Sequence, residues 1–266
     1  GGSGSVSCSS ATSIGVNASV SFPLQVRVNP TVTDGTIIAN TVSASTTTTD
    51  SISSNNSATT ETTAKKPVLL ISQVYGGGGN AGATYTNDFI ELFNAGTTSV
   101  DFSITPYSVQ YAAATAAFST NKTDITSGVL LPGHYFLIQE ASGGLTGVAL
   151  PTADISGGAI NLAATAGKVA LVLGTSLLST VTCPGDNGVS PFNPNFAAIV
   201  DFLGYGSTAN CYEGIGPPTV SGTNSNARSV IRTVSCTDTN VNSVDFSNPA
   251  TAPTARNTAT AANLCP

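Results

Sequence analysis

The run Asp238-Thr239-Asn240-Val241-Asn242-Ser243-Val244-Asp245 sets oxygen-bearing side chains at nearly alternate positions. Carboxylate and amide oxygens in such a pattern suit a hard cation, and Asp238, Asn240, Asn242 and Asp245 are the candidate Ca²⁺ ligands. The run lacks the glycine and the terminal glutamate of an EF-hand loop, so the match is partial. The same residues have a structural use, because Asp and Asn side chains cap turns, here the turns that follow Cys236.

Catalytic chemistry is thinly supplied. His134, in LPGHYF, is the single histidine, and its surroundings read as a surface turn. A Ser-His-Asp triad would have to use it, and no G-x-S-x-G elbow accompanies it. Asp88 and Glu91 look like a carboxylate pair, yet a spacing of three on a strand sends them to opposite faces. Glu91 then shares a face with Phe89 and Phe93, which predicts a hydrogen-bonded structural role. The glycines at 76–79 are not followed by Gly-Lys-Ser/Thr or by a helix, so they read as a tight loop rather than a phosphate cradle. Glycine there permits close approach of a neighbouring backbone. A single histidine and scattered carboxylates cannot build a two-metal hydrolytic centre. The expectation is a protein that is not an enzyme and needs no cofactor apart from the candidate Ca²⁺.

Composition narrows the partners. Only 8% of the 266 residues are charged, against about 25% in an ordinary soluble domain, while 40% are hydrophobic. Such a surface carries little self-repulsion. Two readings follow, a rigid extracellular β-domain with a Ser/Thr surface, or a surface largely covered in an assembly. The net charge is −6, and Lys65-Lys66 is the longest basic run among eight basic residues, which argues against nucleic acid. No apolar run approaches the roughly 18 residues that a spanning helix needs. The chain opens on Gly1, contains no Met and shows no leader pattern, so it reads as a processed product. Cysteines at 8, 183, 211, 236 and 265 have no CxxC spacing. Disulfides in an oxidising, extracellular compartment are the better reading than zinc. Five cysteines leave one over, and spacing alone does not assign the pairs. Asn17, Asn55 and Asn121 each open an Asn-x-Ser/Thr sequon and are candidate glycosylation sites.

The elements that position these residues are strands. Residues 21–28, SFPLQVRV, alternate, with Leu24, Val26 and Val28 on one face and Gln25 and Arg27 on the other. A turn at 29–35 precedes a second β-type run at 35–45, and the polar segment 46–66 holds enough Thr for part of it to form a last strand. Further apolar runs lie at 68–75, 88–94, 100–114, 128–141, 158–174, 198–214 and 227–248. Their lengths and turn-rich spacers predict an all-β sandwich. Within them, 158–167 is the one stretch that could form a helical turn.

Residues 71–94, ISQVYGGGGNAGATYTNDFIELFN, resemble the opening of a lamin-tail domain of the bacterial secreted type. The likeness continues through the runs listed above to ARNTATAANLCP at 255–266. One departure is Tyr107, where that family often has Trp. The resemblance implies an Ig-like β-sandwich over about 65–266 and a binding or structural module. It also implies that Cys183 pairs with Cys211 and Cys236 with Cys265. Residues 6–63, carrying VSCSS, SVSFPLQVRVNP, DGTIIANTVSAS and SSNNSATTETT, are similar to the C-terminal part of a repeated Ig-like bacterial surface module. That module has further strands ahead of its VSC position, so residues 1–64 are expected to be an incomplete sandwich. A strand from another chain would complete it. Cys8, whose partner in that module lies upstream, is left unpaired or intermolecular.

These readings combine into one expectation, an extracellular structural subunit of a pilus-like cell-surface filament or layer. It would form homo-oligomers by donor-strand exchange between copies. The alternatives are an adhesion or carbohydrate-binding module, with Tyr75, Tyr85, Tyr107, Tyr111 and Tyr205 stacking on glycans, or an accessory domain of a secreted hydrolase.

Overall fold

A computed structural model describes residues 4, 6–10, 13–24, 32, 35–64, 69–178, 182–184, 198–223 and 225–266. The chain divides into two compact units, Gly1–Lys66 and Pro67–Pro266.

In the first unit, strand β1 (Ile37–Ser43) pairs antiparallel with β2 (Ser57–Thr63), from Ile37 opposite Thr63 to Ser43 opposite Ser57. The ladder continues at both ends, through Gly35 and Ala64 and through Ala44 and Asn56. The polar segment 46–66 therefore does supply a strand. Thr41 and Thr59 face each other and their hydroxyls hydrogen-bond at 2.8 Å. Of the fourteen strand residues, Ile38 alone is half-buried and the rest are exposed. Residues 21–24 form no strand, with Phe22 and Leu24 exposed, and the rest of that expected strand (25–28), most of the turn after it, and Lys65-Lys66 lie outside the described residues.

The second unit is a sandwich. One sheet orders its strands β13 (Phe246–Ser247), β12 (Val230–Arg232), β3 (Leu69–Tyr75), β4 (Phe89–Asn94) and β9 (Tyr135–Gln139). The other orders β11 (Ile199–Tyr205), β10 (Gly167–Leu173), β6 (Tyr107–Ala113) and β7 (Lys122–Ile125). A short ladder joins β5 (Val100–Asp101) to β8 (Val129–Leu130). All these pairings are antiparallel. One helical turn, α1 (Asn242–Asp245), falls inside the candidate cation run. Residues 158–167 are not helical; 164–165 form a bend and Gly167 opens β10.

The core between the sheets joins Ile71, Val74, Ile90, Leu92, Phe136 and Ile138 to Val109, Val169, Leu171 and Leu203. Both outer faces are covered as well. Phe118, Leu178 and Cys211 pack on Ala112, Ala170 and Phe202, and Ala255 of the C-terminal tail packs with Tyr75, Phe89 and Leu137. Every residue of β3 and β4 is consequently buried, which is why those runs read as continuous apolar stretches with no alternation. A bulge at Ser72 shifts the β3–β4 register, so Ile71 and Val74 both face the core.

Candidate functional site

Several charged side chains of the sandwich gather inside it. Asp201 on β11 and Arg232 on β12 meet at 2.6 Å with both side chains wholly buried. Arg232 also donates from Nε to the Ile71 carbonyl and from Nη1 to the Thr237 carbonyl. Asp201 Oδ2 accepts from the Ile71 amide as well. Asp238 and Asp245 stand 3.6 and 3.8 Å from the same guanidinium, whose plane lies over the Phe246 ring at 4.4 Å. Asp201, Glu213 and Asp238 bring carboxylate oxygens within 4.8 Å of one another and are the residues best placed to hold a metal ion.

The candidate cation run is thus grouped differently from its spacing. Asp245 accepts from the Thr239 amide and hydroxyl and from the Val241 amide, closing the loop on itself. Asn242 is buried, its Oδ1 accepting from the Gly204 and Glu213 amides and its Nδ2 donating to the Phe202 carbonyl and to Glu213. Asn242 therefore acts as a strand mimic along the edge of β11. Asn240 sits at φ 55°, a turn conformation that asparagine tolerates. Of the four, Asp238 alone joins the converging carboxylates, with Asp201 and Glu213 from other segments. Arg232 already supplies positive charge there. Burial raises Asp201 to about 6 against the pull of Arg232. Burial, then Asp201 and Asp238, drives Glu213 well above the usual carboxylate range. Burial lowers the Arg232 guanidinium, but the surrounding acids outweigh it and leave it above its ordinary value.

Asp88 and Glu91 do point to opposite faces. Glu91 lies under the C-terminal tail, where Arg256 reaches it at 2.6 Å and adds its backbone amide. Arg256 also stacks over Tyr135 at 3.8 Å. Asp88 faces inward, its Oδ1 accepting from the Gly78 amide and its Oδ2 from the Leu162 amide, each at 2.8 Å. Directly across from it is Glu140, whose amide donates to the Asp88 carbonyl. Glu140 Oε2 accepts from the Thr123 hydroxyl at 2.9 Å and the Ile160 amide at 3.1 Å, while Oε1 has no partner. Both residues are 1% exposed, and burial raises each to about 7. The sequence missed Glu140 because its meeting with Asp88 depends on the β4–β9 register.

The glycine loop 76–79 is packed against backbone. A Cβ at Gly76 would overlap Ala163, one at Gly77 would overlap Asn226 and one at Gly78 would overlap Asn87 and Asp88. It braces loops and leaves no room for a phosphate. His134 is half-buried, with Nδ1 3.1 Å from the Thr258 carbonyl. The tyrosines expected at the surface are mostly inside, with Tyr75, Tyr111 and Tyr205 at most 5% exposed. Their hydroxyls bond backbone atoms at Asn226 and Ala163, which withdraws them from any sugar. Tyr85 and Tyr107 are half-buried, Tyr107 edge-on to Phe102 at 5.8 Å. Disulfides join Cys183 to Cys211 and Cys236 to Cys265, and Cys8 is free and exposed. Asn17, Asn55 and Asn121 are all exposed.

With this geometry in view, the similarity to known proteins can be placed. A family model for the Lamin Tail Domain, an Ig-like fold, matches residues 62–176. The matched stretch runs through β3 to β10. The later strands β11 to β13 and both disulfides lie beyond it, though β11 and β12 hydrogen-bond into the same two sheets. A comparison with curated proteins found no match.

Proposed function

We propose that this protein is a structural subunit of an extracellular, bacterial cell-surface filament or layer, built by β-strand donation between copies. In this reading it is not an enzyme, and residues 6–63 are the end of a repeated Ig-like surface module. One observation carries it. Among the described residues the β1–β2 hairpin pairs with no third strand, and its Ile37 and Val42 are exposed, at 62% and 63%. An isolated two-stranded hairpin is marginal in water, and open edges are templates for another strand. The two disulfides fit an oxidising compartment. No described helix is long and apolar enough to cross a membrane.

Native mass spectrometry and negative-stain microscopy of the purified chain test the proposal. Ordered polymers are expected, and Thr41→Pro or Thr60→Pro should abolish them while the sandwich still unfolds cooperatively. A monomer at high concentration with a protected hairpin rejects it.

A further inference from the structure

Among the described residues Asp88 and Glu140 form no ion pair. The titratable groups that face them are Tyr75 from β3, Tyr111 from β6 and Tyr205 from β11, each kept neutral by burial. From β7 comes the Thr123 hydroxyl, and segment 158–163 offers backbone amides. Two buried carboxylates with no cation cannot both be ionised at low cost. One of them keeps a proton, and the hydrogen bonds say which. Each Asp88 oxygen accepts an N–H, the arrangement that stabilises a carboxylate. Glu140 places its donors on Oε2 and leaves Oε1 bare, so Oε1 is the oxygen on which a proton displaces no donor.

We propose that Glu140 Oε1 carries a proton at neutral pH while Asp88 stays ionised, and that this proton latches segment 158–163 onto the sandwich. Ile160 hangs on Glu140 and Leu162 on Asp88, while Ala163 holds the Tyr111 and Tyr205 hydroxyls. When the proton leaves, two facing carboxylates repel and draw in water, and the segment that ties them to both tyrosines loosens. The device tightens in acid and slackens as pH rises through about 7.

Glu140→Gln is the neutral mimic, since its amide oxygen can take the place of Oε2 and its NH₂ that of Oε1. Infrared spectra give the protonation state, and urea unfolding at pH 5 and 8 gives its energetic effect. Beside the buried Glu213 carboxyl, which both proteins share, the wild type should show a buried protonated-carboxyl band at pH 6 that is missing from Glu140→Gln. Its folding equilibrium constant should fall about tenfold further between the two pH values than that of the variant, which keeps only the shares of Asp201 and Glu213. Tyrosine emission, uncomplicated because the chain has no Trp, should shift over the same range. A band that Glu140→Gln keeps and Asp88→Asn loses places the proton on Asp88 and overturns the assignment. A spectrum from which neither variant removes a band, or equal pH slopes, overturns the latch. Should the variant fail to fold, a ¹³C-carboxyl titration of the wild type decides which residue carries the proton.

Discussion

Asp201 and Arg232 form a 2.6 Å ion pair that joins one sheet of the sandwich to the other, and neither side chain reaches water. Asp201 also holds the Ile71 amide and Arg232 the Ile71 carbonyl, so both polar groups of one β3 residue hang on the pair. The Ser72 bulge sits next to it. The pair thus satisfies backbone groups that the displaced ladder leaves over.

Removing the guanidinium should therefore be severe. Arg232→Met strands Asp201 and releases the Ile71 and Thr237 carbonyls, an expected loss of about 3–5 kcal/mol in urea unfolding. Asp201→Asn keeps an acceptor and should cost less. The double variant should recover part of the loss, and simple additivity would show that the two residues are not coupled.

Stability should rise in mild acid. Glu140 and Asp201 hold their protons more tightly folded than unfolded, at about 7 and 6, and burial holds the Glu213 proton as well. Over pH 4–7 the folded state binds more protons, so stability falls as pH rises. Coupling within the clusters leaves a net change on the order of 2 kcal/mol, or roughly 4–8 °C in Tm by calorimetry.

The tail should answer to two separate anchors. Arg256→Ala leaves Glu91 buried and unpaired and should cost about 3 kcal/mol. Cys265→Ser opens a loop of 29 residues and should cost roughly 3–4 kcal/mol if the chain-entropy account holds. Hydrogen exchange at the Arg256 amide should quicken in both, and a quickening in neither would mean the tail is held elsewhere.

Two glycines make a matched test. Gly78→Ala would drive a methyl into the Asn87–Asp88 backbone and displace the amide that Asp88 accepts. A loss of about 3 kcal/mol or more is expected from a clash the backbone cannot relieve. Gly82 has open space around it and a φ of +78°, so Gly82→Ala should cost only about 1 kcal/mol, through the backbone. Equal losses in thermal melts would contradict the packing described for the loop.

Much of the sandwich was legible in sequence, because β-type runs and turn signals report local preference. The opposed directions of Asp88 and Glu91 followed from strand geometry alone. What stayed hidden depended on pairing. Asp201, Glu213, Arg232 and Asp238 come from separate segments, and the even spacing of the 238–245 run drew attention to oxygens that its own turns use. The tyrosines looked exposed because burial of both sheet faces removes the alternation by which inside and outside are told apart. Whether segment 158–167 forms a helical turn stayed open in the sequence, because its amides at Ile160 and Leu162 are satisfied by Glu140 and Asp88, residues remote in the chain.

Chain synthesis runs from the N-terminus, and the tail docks last. Glu91 waits 165 residues for Arg256, and Ile71 waits 161 for Arg232. The first strands of the sandwich therefore emerge with their charges and outer face uncovered, and closure must await residues 232 to 256. Such long sequence separations slow folding. A product cut short before Arg232 would lack both the cation that pairs with Asp201 and the strap that covers Glu91.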